Sequence, residues 1–165
     1  MRLYVMRHGI AEEAPANGGG ADAERALTAH GKARVRAVAR GLQALAVRPD
    51  QVWSSPLVRA VQTARIMART LGGPSLAVRE TETLAPGTPP GRLLEELART
   101  PAAQVLCCGH APGMDLLLAH CLAGHGNSFT ALKKGGVACL ELQPGDSPQA
   151  QLLWLLPPAI TRRLG

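Results

Sequence analysis

Aromatic residues are scarce in this sequence, where they make up 2% of 165 residues. Proteins that bind single-stranded nucleic acids commonly stack bases on aromatic side chains. The scarcity therefore argues against a nucleic-acid partner, although the formal net charge is +6. The arginines are also scattered along predicted helices instead of forming one basic cluster. A core without aromatics has to be built from Leu, Val and Ala.

Long apolar runs and paired cysteines are absent as well. No stretch approaches the ~18 apolar residues of a membrane span, and Arg7 and His8 interrupt the first apolar run, so we predict neither a membrane partner nor a signal peptide. None of the four cysteines belongs to a Cys-x-x-Cys pair. All of them fall in apolar patterns, which favours small buried side chains in a reducing cytoplasm. These cysteines are Cys107, Cys108, Cys121 and Cys139.

Residues 10–24 contain a glycine run, Gly18 to Gly20, that no Lys-Ser or Lys-Thr follows. A phosphate-binding P-loop requires that pair. We therefore interpret residues 10–24 as a mobile loop at the mouth of a site built from other parts of the chain.

Short apolar segments alternate with helical repeats along the chain, a pattern that predicts an α/β fold. A length of 165 residues suits one domain. The predicted strands are residues 3–6, 51–53, 76–79, 105–108, 137–142 and 151–156. The first predicted helix begins after Thr28, and the others cover residues 57–71, 91–99 and 114–122. We expect a mostly parallel sheet with helices on both faces, an interior strand at 105–108, and a C-terminal antiparallel hairpin around Gly145.

Arginine and histidine side chains follow three of the predicted strands. Arg7 and His8 come directly after the strand at 3–6, His110 follows the strand at 105–108, and Arg59 follows the strand at 51–53. Arg59 falls in the first turn of a helix for which we predict Ser55 as the N-cap and Pro56 as the first residue. Since ligands bind beyond the carboxyl ends of parallel strands, these side chains should converge on one pocket. We expect that pocket to be a solvent-filled cleft.

Two arginines and two histidines at such positions indicate phosphate chemistry. A guanidinium offers a planar set of donors to phosphoryl oxygens, and a helix N-terminus adds positive potential near Arg59. A neutral imidazole can act as a nucleophile. A metal site on His8 and His110 is an alternative, but no carboxylates stand nearby in a recognisable ligand spacing.

Four motifs, taken in order, resemble those of the histidine phosphatase superfamily, which includes the cofactor-dependent phosphoglycerate mutases. They are Arg7-His8-Gly9; Leu27-Thr28 with Gly31; Ser54-Ser55-Pro56 with Arg59-Ala60 and Gln62-Thr63; and Gly109-His110 with Pro112. The compact length and the stretch at 132–136 are most similar to the SixA-type phosphohistidine phosphatases. The resemblance implies a phosphoglycerate mutase-like three-layer α/β/α sandwich, with residues 1–165 forming a single histidine-phosphatase domain without a large cap.

The resemblance also implies roles for individual residues. His8 is the nucleophile that becomes transiently phosphorylated, while Arg7, Arg59 and His110 hold the phosphoryl oxygens without a metal or cofactor. His8 has to attack through an unprotonated nitrogen, so its other ring nitrogen should donate to a fixed acceptor such as a backbone carbonyl. The general acid of the family commonly lies in the loop after the third strand, where Glu80 and Glu82 are available and we favour Glu82.

We therefore expect a cytoplasmic, metal-independent phosphatase that acts through a phosphohistidine intermediate on phosphohistidine carried by a protein. One departure from the family pattern is Ile10, since many relatives carry Glu after the Arg-His-Gly motif. Two alternatives remain open. The same chemistry could act on a small phosphate monoester, or the chain could be a non-catalytic module that binds phosphoproteins.

Overall fold

The computed structural model describes residues 1–13, 22–124, 127–143 and 150–165. The glycine run at 18–20 and the hairpin turn around Gly145 lie outside these residues. The strands are β1 Arg2–Arg7, β2 Gln51–Ser54, β3 Val78–Glu80, β4 Gln104–Gly109, β5 Val137–Leu142 and β6 Ala150–Leu156. The helices are α1 Ala29–Ala44, α2 Val58–Leu71, α3 Pro90–Ala98, α4 Gly113–Ala123 and α5 Pro158–Thr161, and 3-10 turns cover Asp22–Glu24 and Glu82–Leu84.

The strands form one sheet in the order β3-β2-β4-β1-β5-β6. β3, β2, β4 and β1 are parallel, whereas β5 pairs antiparallel with both β1 and β6. β4 lies between β2 and β1, and its continuous apolar sequence is buried on both sides. This arrangement confirms the predicted mostly parallel sheet with a C-terminal antiparallel pair.

Alternate residues of the strands face two separate apolar layers. On one side, Tyr4 and Met6 of β1 pack with buried residues of α1 and α2. On the other side, Leu3 and Val5 pack with buried residues of α3 and α4. Because successive side chains of a strand point to opposite faces, one short strand serves both layers. The result is the predicted three-layer sandwich of the phosphoglycerate mutase-like fold.

The four cysteines are free and buried, as their apolar surroundings predict. Burial raises the pKa of each thiol, which keeps all four protonated. Within the described ranges, no helix has the length and apolar character needed to cross a bilayer.

The starts of the first two helices show one correct prediction and one error. Thr28 is the N-cap of α1, and its Oγ1 accepts a hydrogen bond of 2.8 Å from the amide of Gly31. The predicted start of α2 at Ser55 and Pro56 is wrong, because this helix begins at Val58 after Leu57 and has no side-chain cap. The hydroxyl of Ser55 instead lies 2.9 Å from Nε2 of His110.

Candidate active site

The parallel pairing of β1 and β4 brings His8 and His110 together. Arg7 is in register with Gly109, and the amide of His8 donates to the carbonyl of Gly109 at 3.0 Å. The two imidazole rings follow these strands with their centroids 5.0 Å apart. Only 5% of His8 and 4% of His110 is exposed. The two histidines are therefore almost fully buried, whereas we expected His8 to face a solvent-filled cleft.

A short hydrogen bond fixes the ring of His8. Nδ1 donates to the carbonyl of Gly9 at 2.7 Å, since a carbonyl can only accept. The lone pair is then on Nε2. Burial, reinforced by the charges of Arg59 and Arg7, lowers the pKa of His8 to about 4. The imidazole is thus neutral near pH 7, which is the form a nucleophile requires.

Gly9 allows the chain to pass close to α1. A Cβ at this position would lie 2.5 Å from Cγ2 of Val35, which is too close for any side chain to fit without displacement. The amide of Gly9 donates to Oγ1 of Thr63, and that hydroxyl donates to the carbonyl of Arg59. Thr63 therefore connects the loop after β1 to the start of α2.

His110 has one partnered and one unpartnered ring nitrogen. Nε2 contacts the hydroxyl of Ser55, while Nδ1 is buried without a hydrogen-bond partner among the described residues. Burial is the main reason that the pKa of His110 falls to about 3, and the neighbouring His8 and Arg59 lower it further. The unpartnered Nδ1 is available to a ligand.

The two predicted arginines approach this site from different elements. Arg59, the second residue of α2, is 4% exposed and donates to both the carbonyl and the carboxylate of Asp22, at 2.5 and 2.7 Å. Arg7 donates from Nη1 to the carbonyl of Leu132 at 2.8 Å. Nε of each arginine is buried and has no hydrogen-bond partner in the described ranges. Both side chains therefore keep donor capacity for an anion.

A buried carboxylate supports Arg7 indirectly. Asp115, in the first turn of α4, is 5% exposed, and its Oδ1 accepts from the amide of Leu132 at 2.8 Å and from the hydroxyl of Thr130 at 2.9 Å. The Leu132 carbonyl then holds Arg7. The amide of Gly135 donates to the carbonyls of Arg7 and His8, so the whole segment is attached to the end of β1.

The two carboxylates considered as general acids lie apart from the histidines. Glu82 begins the second 3-10 turn and is exposed. Glu80 ends β3, is also exposed, and lies 3.8 Å from Arg65. Among the described residues, neither carboxylate forms a hydrogen bond or ion pair with His8 or His110. Thr83 and Leu84 do line a small pocket together with His110, so the turn itself approaches the site.

Sequence reasoning missed Asp22, Arg25, Ser55 and Asp115. The predicted loop at 10–24 includes Asp22 without giving it a role, and Arg25 lies just outside it. Opposite charges three residues apart nevertheless form a recognisable local pair. Oδ1 of Asp22 lies 2.9 Å from Nε of Arg25. Ser55 was assigned to a helix cap. Nothing in the sequence around Asp115 signals its contact with a loop 15 residues further along the chain.

The donor set around the two histidines suits an anion. Arg7, Arg59 and Arg25 supply positive charge, and the described residues contain no group of three or more His, Cys, Asp or Glu side chains that could hold a metal ion. A buried site rich in guanidinium groups can bind and neutralise a phosphoryl group.

Comparisons with known proteins agree with this geometry. The model of the histidine phosphatase superfamily (branch 1) matches residues 3–85. A protein of Picosynechococcus sp. (strain PCC 7002) that has no described activity is 34% identical over 95% of this chain and 100% of its own length.

Two solved structures show the relation in three dimensions. The protein histidine phosphatase SixA, complexed with tungstate, is 27% identical with a TM-score of 0.83, and the match covers 97% of this chain and 99% of SixA. The alpha-ribazole phosphatase of Shigella flexneri shares the fold at 20% identity, with a TM-score of 0.76 and coverage of 96% and 97%. Its family and fold support phosphatase activity. The chain therefore belongs to the histidine phosphatase superfamily, in which it is SixA-like.

Proposed function

We propose that this chain hydrolyses phosphohistidine on a protein substrate and that His8 is the nucleophile. The observation that carries the proposal is the state of His8: its Nδ1 is tied to Gly9, its pKa is about 4, and its ring lies 5.0 Å from that of His110. A neutral imidazole held in one tautomer beside guanidinium groups is prepared to receive a phosphoryl group.

The reaction takes place in two displacements. Nε2 of His8 forms a bond to phosphorus while the bond between phosphorus and the leaving imidazole breaks, and that imidazole departs protonated and neutral. Water then attacks the phosphorus of phosphorylated His8, which releases inorganic phosphate and regenerates the free ring. Arg7, Arg59 and His110 stabilise the charge on the equatorial oxygens in both steps. We propose that these groups make the reaction independent of a metal.

The exposed position of Glu82 supports phosphohistidine as the substrate. An alkoxide leaving group requires a proton donor held close to it, whereas a protonated imidazole leaves without one. Glu82 has no described contact with His8 or His110. If Glu82 does act as the general acid, it has to approach from the turn that lines the pocket beside His110.

A small phosphate monoester is the second candidate substrate, because Thr83 and Leu84 of the turn that carries Glu82 line the pocket beside His110. We propose in either case that residues 1–165 form a single histidine-phosphatase domain without a large cap, which leaves room for a protein surface. Four buried free thiols are consistent with work in the cytoplasm.

A substrate comparison tests this proposal. Wild-type protein and the His8→Ala variant are assayed on a phosphohistidine-carrying protein and on a panel of small phosphate esters, each with and without EDTA. We expect the highest kcat/KM on the phosphohistidine protein, no turnover by His8→Ala, and unchanged activity in EDTA. A preference for one ester would favour the second candidate, and loss of activity in EDTA would contradict metal independence.

A further inference from the structure

The proposed phosphate-binding arginine already holds an anion from its own chain. Asp22 occupies both terminal nitrogens of Arg59: Nη1 donates to its carbonyl at 2.5 Å and Nη2 to its Oδ2 at 2.7 Å. The second carboxylate oxygen lies 2.9 Å from Nε of Arg25. The carboxylate thus sits between two guanidinium groups, the setting in which a phosphoryl group would also be bound.

The carboxylate of Asp22 also acts electrostatically on His110. Its negative charge raises the pKa of His110, against the stronger effect of burial, and the hydrogen bond from Arg59 lowers the pKa of Asp22. Asp22 is therefore ionised at neutral pH and close enough to influence His110. A phosphoryl group that bound Nη2 of Arg59 would meet the carboxylate of Asp22 there.

The local structure permits Asp22 to leave while its neighbours stay in place. Its side chain is 58% exposed, and the 3-10 turn that carries it, Asp22–Glu24, has no buried residue. Just beyond the turn, Arg25 donates to the carbonyl of Glu12, and the amide of Leu27 donates to Gln62. The chain is thus anchored after the turn, and displacing the carboxylate removes little apolar surface from contact.

We propose that Asp22 is an internal competitor for the phosphoryl site, which its carboxylate occupies in the free protein and leaves when a phosphoryl group binds. The proposal rests on the proposed function only in taking Arg59 as a phosphate ligand. Such a competitor lowers the affinity of the site for phosphoryl groups and excludes anions that bind the arginines weakly. A phosphoryl dianion can replace the carboxylate on two arginines, whereas a monoanionic carboxylate gains nothing by the exchange.

Inorganic phosphate is the probe that tests this inference, because its binding is measured by calorimetry without turnover. Asp22→Asn keeps the size of the side chain and removes its charge, so the Kd for phosphate should fall roughly tenfold. Glu24→Gln is the matched control, since it removes the same charge from an exposed residue of the same turn. We expect it to leave the Kd within about twofold.

Four results would overturn the inference. Weaker phosphate binding by Asp22→Asn would mean that Asp22 positions Arg59 instead of competing for it. An unchanged Kd in Asp22→Asn would mean that Asp22 does not compete with phosphate. An equal change of Kd in Glu24→Gln would mean that the effect comes from net charge. In an Arg59→Ala background, Asp22→Asn should lower the Kd by clearly less than in the wild type, because the main group for which Asp22 competes is gone; an equal effect in both backgrounds would contradict competition for Arg59.

The binding measurement is separate from the test of the proposed function. A chain that binds phosphate with the expected differences but hydrolyses no substrate would contradict the phosphatase proposal and leave the competitor role of Asp22 intact.

Discussion

The side of the site that we propose binds phosphate and the side that we propose receives the leaving group are built very differently. On the phosphate side, His8, His110 and Arg59 are each at most 5% exposed and held by contacts to backbone or buried side chains. On the leaving-group side, Glu80 and Glu82 are exposed on an edge strand and a short turn. In the proposed mechanism, the groups that neutralise phosphoryl charge are therefore held in place by the fold, whereas the candidate proton donors are not. This difference favours substrates whose leaving group needs little help.

Removing the proposed nucleophile should have the largest effect. His8→Ala should abolish turnover on every substrate, because no other described side chain is placed to carry the phosphoryl group beside Arg59 and His110. The measurement is kcat/KM on the phosphohistidine protein. His30→Ala, at an exposed histidine on α1, is the control and should retain full activity. Residual turnover by His8→Ala above the uncatalysed rate would contradict the assignment.

Removing a guanidinium from the same side should have the next largest effect. Arg59→Ala should cost roughly 3–4 kcal/mol of transition-state stabilisation, as expected for one lost donor in such a site. Both kcat and kcat/KM should fall. Arg65→Ala, on the exposed face of the same helix, is the matched control. A loss no greater than that of Arg65→Ala would mean that Arg59 does not contact the reacting group.

The leaving-group side is probed by Glu82→Gln. If Glu82 is the proton donor, hydrolysis of an alkyl phosphate ester should slow by ~10²-fold or more, because the alkoxide is no longer protonated as it leaves. Hydrolysis of phosphohistidine should change much less. Glu80→Gln provides the comparison, since it removes a second exposed carboxylate two residues earlier in the chain, at the end of β3. Equal small losses on both substrates would exclude Glu82 from the mechanism.

Burial of the two histidines should also make the free energy of unfolding depend on pH. An unfolded imidazole binds a proton near pH 6.5, whereas the pKa values of folded His8 and His110 are about 4 and 3. Between these values the unfolded state binds more protons, so the free energy of unfolding should fall as the pH drops from about 6.5 toward 4. Urea denaturation across this range should show a smaller decline for His8→Asn than for wild type. Identical declines would contradict the lowered pKa of His8.

The sequence predicted the parts of this site that depend on strand ends. Short apolar runs followed by Arg7, His8 and His110 identify the carboxyl edge of a parallel sheet, and parallel pairing then brings these residues together. The start of α2 was predicted a few residues too early because Ser55 matches a helix cap, and its hydroxyl has a partner, His110, that is distant in sequence.

The contacts between distant segments around the site could not be predicted in this way. The pairing of Asp22 with Arg59 spans 37 residues, and the support of Leu132 by Asp115 spans 17. Each joins a loop to a helix, where no periodicity limits which residues meet. The contact with Asp22 covers the terminal nitrogens of Arg59, and the expectation of a solvent-filled cleft did not include it.

The most direct test of the central claim is to trap the phosphorylated enzyme. Wild-type protein is mixed with a phosphohistidine-carrying protein, quenched without acid, and analysed for phosphate bound to the chain. We predict one phosphoryl group that is stable to alkali and labile to acid, as a phosphoramidate should be, located on the peptide that contains His8 and absent from His8→Ala. Phosphate that resists acid, that lies on another peptide, or that persists in His8→Ala would contradict the account.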